Sequence, residues 1–502
     1  MKILSMYLPQ FHRVKENDEW WGAGYTDWVS AKNAVPLFEG HYQPHVPLNQ
    51  YYYDLTEKSS FEWQASLMRR FGIDGQCIYH YWFKDGRQIL EKPAEKLLGW
   101  KDIDMPFCFS WANQSWVNSW SAVKGANVWC DLREKKRKDD NDSGLLLEQQ
   151  YGDEREWRRH FNYLLAFFKD SRYIKIDNKP VFVLYQAMYI TVLDRMSECW
   201  NSWAKEEGFD GIYFIGVSNR DESVVDAVLY PGPQAVMNDM LGEMDGSGLK
   251  VLDYKSVWDR MIEKAYMESG CMTGAFTGYD DTPRRGDRGC AVDGASPEVF
   301  REGLVRLLAI NEIHNQPFTF INAWNEWGEG MHLEPDEKNG TAYLEAVSYS
   351  KEHHREYFEE VKKNEEMIYR KQGQEIVRYK KKISRYESYW RIMDQWLLLK
   401  EENIQVSDLL EDRNIHRVII YGMGMIGKHL VRDLAGSNIK IVCAIDRQEM
   451  REEIGFPVIN VDDIIPEADA VIVTPSYDYT NIKKNLEEKG LKNIISIETI
   501  LG

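Results

Sequence analysis

Two glutamates three residues apart, Glu326 and Glu329, sit in the run Asn325-Glu326-Trp327-Gly328-Glu329-Gly330, directly behind the apolar stretch Phe318–Trp324. Paired carboxyls among aromatic rings suit glycosidic-bond chemistry. That chemistry needs one carboxyl protonated and one ionised, and apolar burial plus mutual repulsion drives the two pKa values apart. Acids also suit a helix N-terminus, where they face the positive end of the dipole. The crowding of Trp324, Trp327, His332 and Glu334 around the pair tilts the reading toward a site. Aromatic rings pack on the C–H faces of sugars, and the chain carries 18 Trp and 28 Tyr.

Further candidate sugar-binding residues follow other apolar runs: Tyr7, Gln10 and His12; Tyr79, Tyr81 and Trp82; Trp111 and Asn113; Tyr185; then Asp280, Asp281 and Arg284. Trp324, Asn325, Trp327, His332 and Glu334 complete the expected substrate-binding set. A long loop with Trp20, Trp21, Trp28, His41 and His45 is expected to wall the same face, Trp21 and His41 touching substrate. His80, inside an apolar run, reads equally as a buried structural histidine. His12, His41, His45, Asp280 and Asp281 come nearest to a metal-ligand set, but no spacing is diagnostic and no metal is expected.

These residues need a frame that brings them to one face. Apolar runs at Lys2–Leu8, Gln76–Phe83, Pro106–Ala112, Pro180–Tyr185, Ile212–Val217, Ala227–Tyr230, Met272–Thr277 and Phe318–Ala323 alternate with amphipathic stretches such as Phe61–Phe71, Glu154–Phe168, Val192–Glu207 and Pro297–Ile310. Eight such alternations predict a (β/α)₈ TIM-type barrel over residues 1–350, and residues just past barrel strands lie at its active face. A doubly wound sheet would place a glycine-rich loop after the first strand, where Leu8-Pro9-Gln10-Phe11-His12 stands instead.

Residues 351–400 read as a helical connector. Ile376, Tyr379, Ile383, Tyr386, Trp390, Met393 and Leu397 form an a/d stripe. Such a stripe either packs on its own chain or forms a homodimer seam through the 376–397 helix. Residues 401–502 read as a small Rossmann-like α/β domain. Its first strand runs into Gly422-Met423-Gly424-Met425-Ile426-Gly427, and Asp446 ends the next strand. This is the G-x-G-x-x-G fingerprint in its strand–turn–helix setting. Gly422, Gly424 and Gly427 are therefore candidates to cradle the phosphate of NAD(P) or another nucleotide, with Asp446 toward a ribose. Glycines used only for tight packing explain the same pattern. The barrel itself calls for no cofactor.

Composition excludes some classes. A net charge of −18 argues against nucleic acid as a partner, and the basic run Lys135–Lys138 is followed at once by acids. Seven scattered cysteines make no disulfide framework and suit a reducing cytoplasm. No stretch reads as a signal peptide or a membrane span.

Seven stretches resemble the WbsX-type family of polysaccharide-biosynthesis proteins, which is similar to glycoside hydrolase family 99: YLPQFH at 7–12, NDEWWGAGYTDW at 17–28, GHYQPH at 40–45, YHYWF at 79–83, KPVFVLY at 179–185, DDTPRRG at 280–286 and INAWNEWGEGMHLEPD at 321–336. The resemblance implies a carbohydrate-active enzyme of surface-polysaccharide metabolism: O-antigen (lipopolysaccharide) or capsule. The family's name implies glycosyl transfer; its kinship implies hydrolase-like chemistry. The family-99 mechanism implies that Glu326 is the base toward the sugar's own 2-hydroxyl and Glu329 the general acid/base. Two positions depart from the pattern. Gly328 stands where the hydrolases usually carry His, and Gln114 where WbsX-type relatives usually carry Glu. The expected substrate is an oligo- or polysaccharide, and the carboxyls are expected about 5 to 7 Å apart. The competing readings are an inactive glycan-binding scaffold, a glycosyltransferase of different mechanism, and an oxidoreductase driven by the C-terminal domain. The last is disfavoured because the catalytic-looking residues cluster in the barrel.

Overall fold

The run KILSMY forms β1 (Lys2–Tyr7). It pairs in parallel with β2 (Gly75–His80), Met6 opposite Cys77, and with the last barrel strand, Leu4 opposite Phe320. β3 (Phe107–Trp111), β4 (Lys179–Leu184), β5 (Tyr213–Val217) and β6 (Ala227–Tyr230) continue the sheet from β2. β7 comes in two halves, Cys271–Thr273 and Ala275–Phe276, and β8 is Phe318–Asn322. The first half of β7 pairs with β6 and the second with β8, so the sheet closes into a parallel barrel. Gly274 makes the break: a Cβ there would lie 3.1 Å from Gly232 N and 3.2 Å from Phe320 O. The strands are buried on both sides, which is why they read as continuous apolar runs rather than alternating ones.

The computed structural model describes residues 1–117, 145–218, 224–242, 244, 248–446 and 455–502; Lys135–Lys138 lie outside them. The chain divides into two compact units, Met1–Ile368 and Tyr369–Gly502.

The helices of the first unit follow their sequence signals. Helix Glu154–Phe168 starts at Asp153, whose carboxylate accepts from Arg155 N at 2.9 Å, and it buries Trp157, Phe161, Leu164 and Phe168 at three- and four-residue spacing. Helix Pro297–Ile313 starts at Ser296, with Oγ accepting from Val299 N, and has proline at its first position. Helices Lys58–Phe71 and Leu193–Glu206 match the other two stretches, and Tyr254–Met267 and Ala342–His353 add further helices. Several details differ from the sequence expectation, and the following bear on the barrel. The second strand stops at His80 rather than Phe83. The seventh is interrupted at Gly274, and Thr277 lies beyond it. Helix Lys92–Gly99 was not anticipated.

Helix Phe358–Glu401 runs 44 residues. In the second unit, five parallel strands run in the order Val458–Ile459, Lys440–Ile445, Arg417–Tyr421, Ala470–Val473, Ile494–Ser496. This is a Rossmann-like arrangement with helix Met425–Leu434 behind the glycine loop. Among the described residues no helix is long and apolar enough to cross a membrane.

Candidate active site

Behind β8 the chain makes a tight hairpin. Asn325–Glu326 pairs antiparallel with Met331–His332, and Trp327–Glu329 form the turn, closed by Gly330 in the left-handed region at φ 64°. Asn325 ties this hairpin to the end of β1: its Oδ1 accepts from Leu8 N at 2.8 Å and its Nδ2 donates to Leu8 O at 3.0 Å. Beneath the hairpin lies Glu334. Its carboxylate accepts from Trp324 Nε1, Trp327 Nε1, Gln64 Nε2 and the Tyr53 hydroxyl, each at 2.8 Å. Burial pushes Glu334 up to about 7 against the pull of these donors. It is a fastening point for the loop.

Glu326 and Glu329 both reach one guanidinium. Arg284 Nη2 donates to Glu326 Oε1 at 2.9 Å, and Nη1 donates to Glu329 Oε1 at 2.5 Å. Both carboxylates are thus held on one guanidinium fork. The same Arg284 donates to Asp27 Oδ1 from Nη2 at 2.8 Å, and Asp27 Oδ2 accepts from Gly328 N at 2.9 Å. Asp27 thus locks both the turn and the arginine. A Cβ at Gly328 would lie 2.6 Å from Asp27 Oδ1 and 2.8 Å from Arg284 Nε. The carboxylate–guanidinium contact occupies the space a side chain at 328 would need, which accounts for glycine in place of histidine.

Burial, reinforced by the charge of Glu329, pushes Glu326 up to about 8, while Arg284 draws it back. Burial raises Glu329 too, again opposed by Arg284. The side chain of Glu329 is 23% exposed against 9% for Glu326, so Glu329 is the better solvated of the two. Both carboxyls therefore hold their protons to higher pH than a free glutamate does.

The two carboxyls face a cavity of about 500 Å³. Gln10, Trp21, Tyr79, Tyr81, Tyr185, Asp281 and Arg284 from the expected set line it, with Gln114. Tyr79 and Tyr185 meet edge to face at 5.9 Å, and burial raises both Tyr79 and Tyr81, leaving neutral hydroxyl donors. Trp21 stands between Tyr25 at 5.2 Å and Trp116 at 6.0 Å. Gln114 Oε1 accepts from Gln186 Nε2 at 3.0 Å.

Other expected contacts lie elsewhere. Tyr7 is fully buried and donates to Gln64 Oε1. The His12 ring lies against Pro9 O. Trp82 stacks on His160 at 4.4 Å, Trp111 Nε1 donates to Trp82 O, and Asn113 bonds Tyr151 and Gln186. These residues build the shell under the cavity, as do Trp324, Asn325, Trp327 and Glu334. His80 pairs with His160 in the core, and burial pushes it down to about 3. His41, Asp280 and His332 line a second cavity of about 260 Å³ behind the hairpin, where Asp280 Oδ2 meets His41 Nε2 at 2.7 Å. Among the described residues no group of three His, Cys, Asp or Glu side chains is placed to hold a metal.

Sequence reasoning missed Asp27, 257 residues from Arg284. Its only signal was an acid inside the NDEWWGAGYTDW stretch. Tyr25 and Arg285, which also line the cavity, lie in the quoted stretches 17–28 and 280–286 but were not singled out, and Arg288 carried no signal.

Residues 3–347 match the family model described as Glycosyltransferase WbsX, and residues 414–495 match one described as C2185-like, N-terminal. Two proteins of Xanthomonas campestris pv. campestris, from different strains and each called uncharacterized protein WxcX, are 30% identical over 360 residues, covering 69% of this chain and 49% of their own length. The chain spans about half the length of these curated relatives. The solved family-99 endo-alpha-mannosidase of Bacteroides thetaiotaomicron is 12% identical, with a TM-score of 0.42, over 70% of this chain and 97% of that one.

Proposed function

The chain belongs to the WbsX glycosyltransferase family, and from that footing we propose that its barrel makes or breaks glycosidic bonds of a surface polysaccharide or its precursor, with Glu326 and Glu329 as the acid/base pair. The observation that carries the reading is the pair of buried carboxyls held on one guanidinium and lining an aromatic cavity. Acid–base work at an acetal requires one carboxyl to give a proton and one to take it.

In the proposed sequence Glu326 takes the proton of the sugar's 2-hydroxyl, whose oxygen attacks C1, while Glu329 protonates the departing oxygen. The sequence requires Glu329 protonated and Glu326 ionised at the moment of attack, and this placement of the proton is part of the proposal. Attack of water or of an acceptor hydroxyl on the 1,2-anhydro sugar then completes hydrolysis or transfer. Asp27 and Arg284 position the pair. The aromatic residues Trp21, Tyr79, Tyr81 and Tyr185 hold the glycan. The reading is tested by incubating the protein with a panel of surface glycans and resolving products by mass spectrometry. Products from wild type but not from Glu329→Gln support it; bound but unaltered glycan from the wild type favours the scaffold reading, for which Gln114 in the cavity wall speaks.

For the second unit we propose a nucleotide phosphate site at Gly424. A Cβ at Gly427 would lie 2.1 Å from Gly422 O, and one at Gly422 would meet Pro475, so both glycines serve close packing. Gly424 faces open space. Asp446 accepts from Met423 N at 2.6 Å, which sets its carboxylate beside the loop, as a ribose contact requires. Titration calorimetry of the full chain with NAD, NADP and UDP-glucose tests this; no heat from any of them leaves the glycines a packing role.

A further inference from the structure

We propose that helix Phe358–Glu401 pairs with the same helix of a second copy of this chain, parallel and in register, as a two-stranded coiled coil centred on Ile383. This inference is independent of the proposed activity. With Ile376 as an a position, Ile383, Trp390 and Leu397 fall at a and Tyr379 and Tyr386 at d. All six are between 54% and 68% exposed. The helix has another face for its own chain: Ile392 and Trp396 are buried in the core of the second unit. The stripe is exposed from Ile376 to Trp390, while Met393, the next d position, packs against that core, so the seam is centred on the first half of the stripe.

Two observations choose a second copy as the occupant. First, residues 369–387 are exposed on nearly every face. A helix of that length without a packed face is marginal in water, and Gly373 within it lowers its propensity further. A heptad stripe supplies the missing packing when two copies meet. Second, the flanking charges match. In a parallel in-register pair each g residue faces the e residue five positions on in the other copy. Glu375 at g then meets Lys380 at e, and Lys382 at g meets Glu387 at e, with all four exposed. Each pair occurs twice by symmetry, and every one joins opposite charges.

The test uses the full chain. Light scattering at micromolar concentration should give twice the mass of one chain, and Ile383→Lys should give one chain mass with a nearly unchanged melting temperature for the separated protein, because Ile383 is 54% exposed. Lys382→Glu should weaken association roughly tenfold by placing like charges together, and adding Glu387→Lys should restore it. Ile383→Cys should cross-link under mild oxidation, above the background of wild-type cysteines, because identical a positions meet only in the parallel register. A monomeric wild type overturns the proposal. So does a dimer that survives Ile383→Lys, or one in which Ile383→Cys does not cross-link.

Discussion

Replacing Arg284 by Met should strip one cation from three carboxyl groups at once. The guanidinium donates to Asp27 twice and to Glu326 and Glu329 once each, almost wholly buried. Removing one partner of a buried ion pair costs about 3 to 5 kcal/mol, which lowers Tm by about 4 to 7 °C for a unit of this size. The pH dependence carries the sharper information. Arg284 pulls Glu326 and Glu329 down against burial, so without it both carboxyls hold protons to higher pH. A carboxyl whose folded pKa is raised lends stability below its unfolded value and withdraws it as pH rises through the folded one. The Met variant should therefore lose least near pH 5 and most above pH 8. In the wild type, activity should fall as pH rises through about 8, where Glu326 loses its proton. The variant's descending limb should move to higher pH, and Arg284→Lys, which keeps the charge, should return it part of the way. Thermal denaturation and kcat/KM from pH 5 to 9.5 measure both. A limb that stays in place in Arg284→Met would refute the idea that this arginine sets the proton on the pair.

Other substitutions probe separate parts of the account. Gly328→His, which restores the hydrolases' residue, forces a Cβ to 2.6 Å from Asp27 Oδ1; kcat should drop at least tenfold with a lower melting temperature, whereas unchanged kinetics would show that Asp27 and Arg284 do not need that space. Glu334→Leu leaves two indole N–H groups, an amide and a hydroxyl without their acceptor, and should cost about 3 kcal/mol or more in denaturant unfolding. Gly427→Ala should unfold the second unit, because its Cβ meets Gly422 O at 2.1 Å, while Gly424→Ala should leave circular dichroism unchanged and weaken only nucleotide binding.

The barrel was legible because parallel strands buried on both faces leave unbroken apolar runs, and because Asp153 and Ser296 mark helix starts in their side chains. The split of the seventh strand was not, since a glycine between Thr273 and Ala275 looks like any other until both neighbouring strands are placed. Within the candidate site, Glu326 and Glu329 stood out by following a strand end. What did not show was the function of their neighbours. Glu334 reads as a substrate contact in a crowded loop, and only the fold surrounds it with four donors. Arg284 reads as a substrate contact, and only the fold brings it to three carboxyls. Asp27 is tied to the pair through contacts that span most of the barrel, and such pairing has no local signature.

The central claim is that Glu326 and Glu329 together perform the glycosidic step with the substrate's own 2-hydroxyl. The most direct measurement compares turnover of a glycan substrate by wild type, Glu326→Gln and Glu329→Gln, alongside the 2-deoxy form of the same substrate and intact-protein mass spectrometry. Each substitution keeps shape and removes a proton site, so kcat should fall about 10²- to 10⁴-fold. The 2-deoxy substrate should be inert, and no glycosyl adduct should accumulate on the protein. A covalent adduct on either glutamate, or full activity in either variant, would contradict the account.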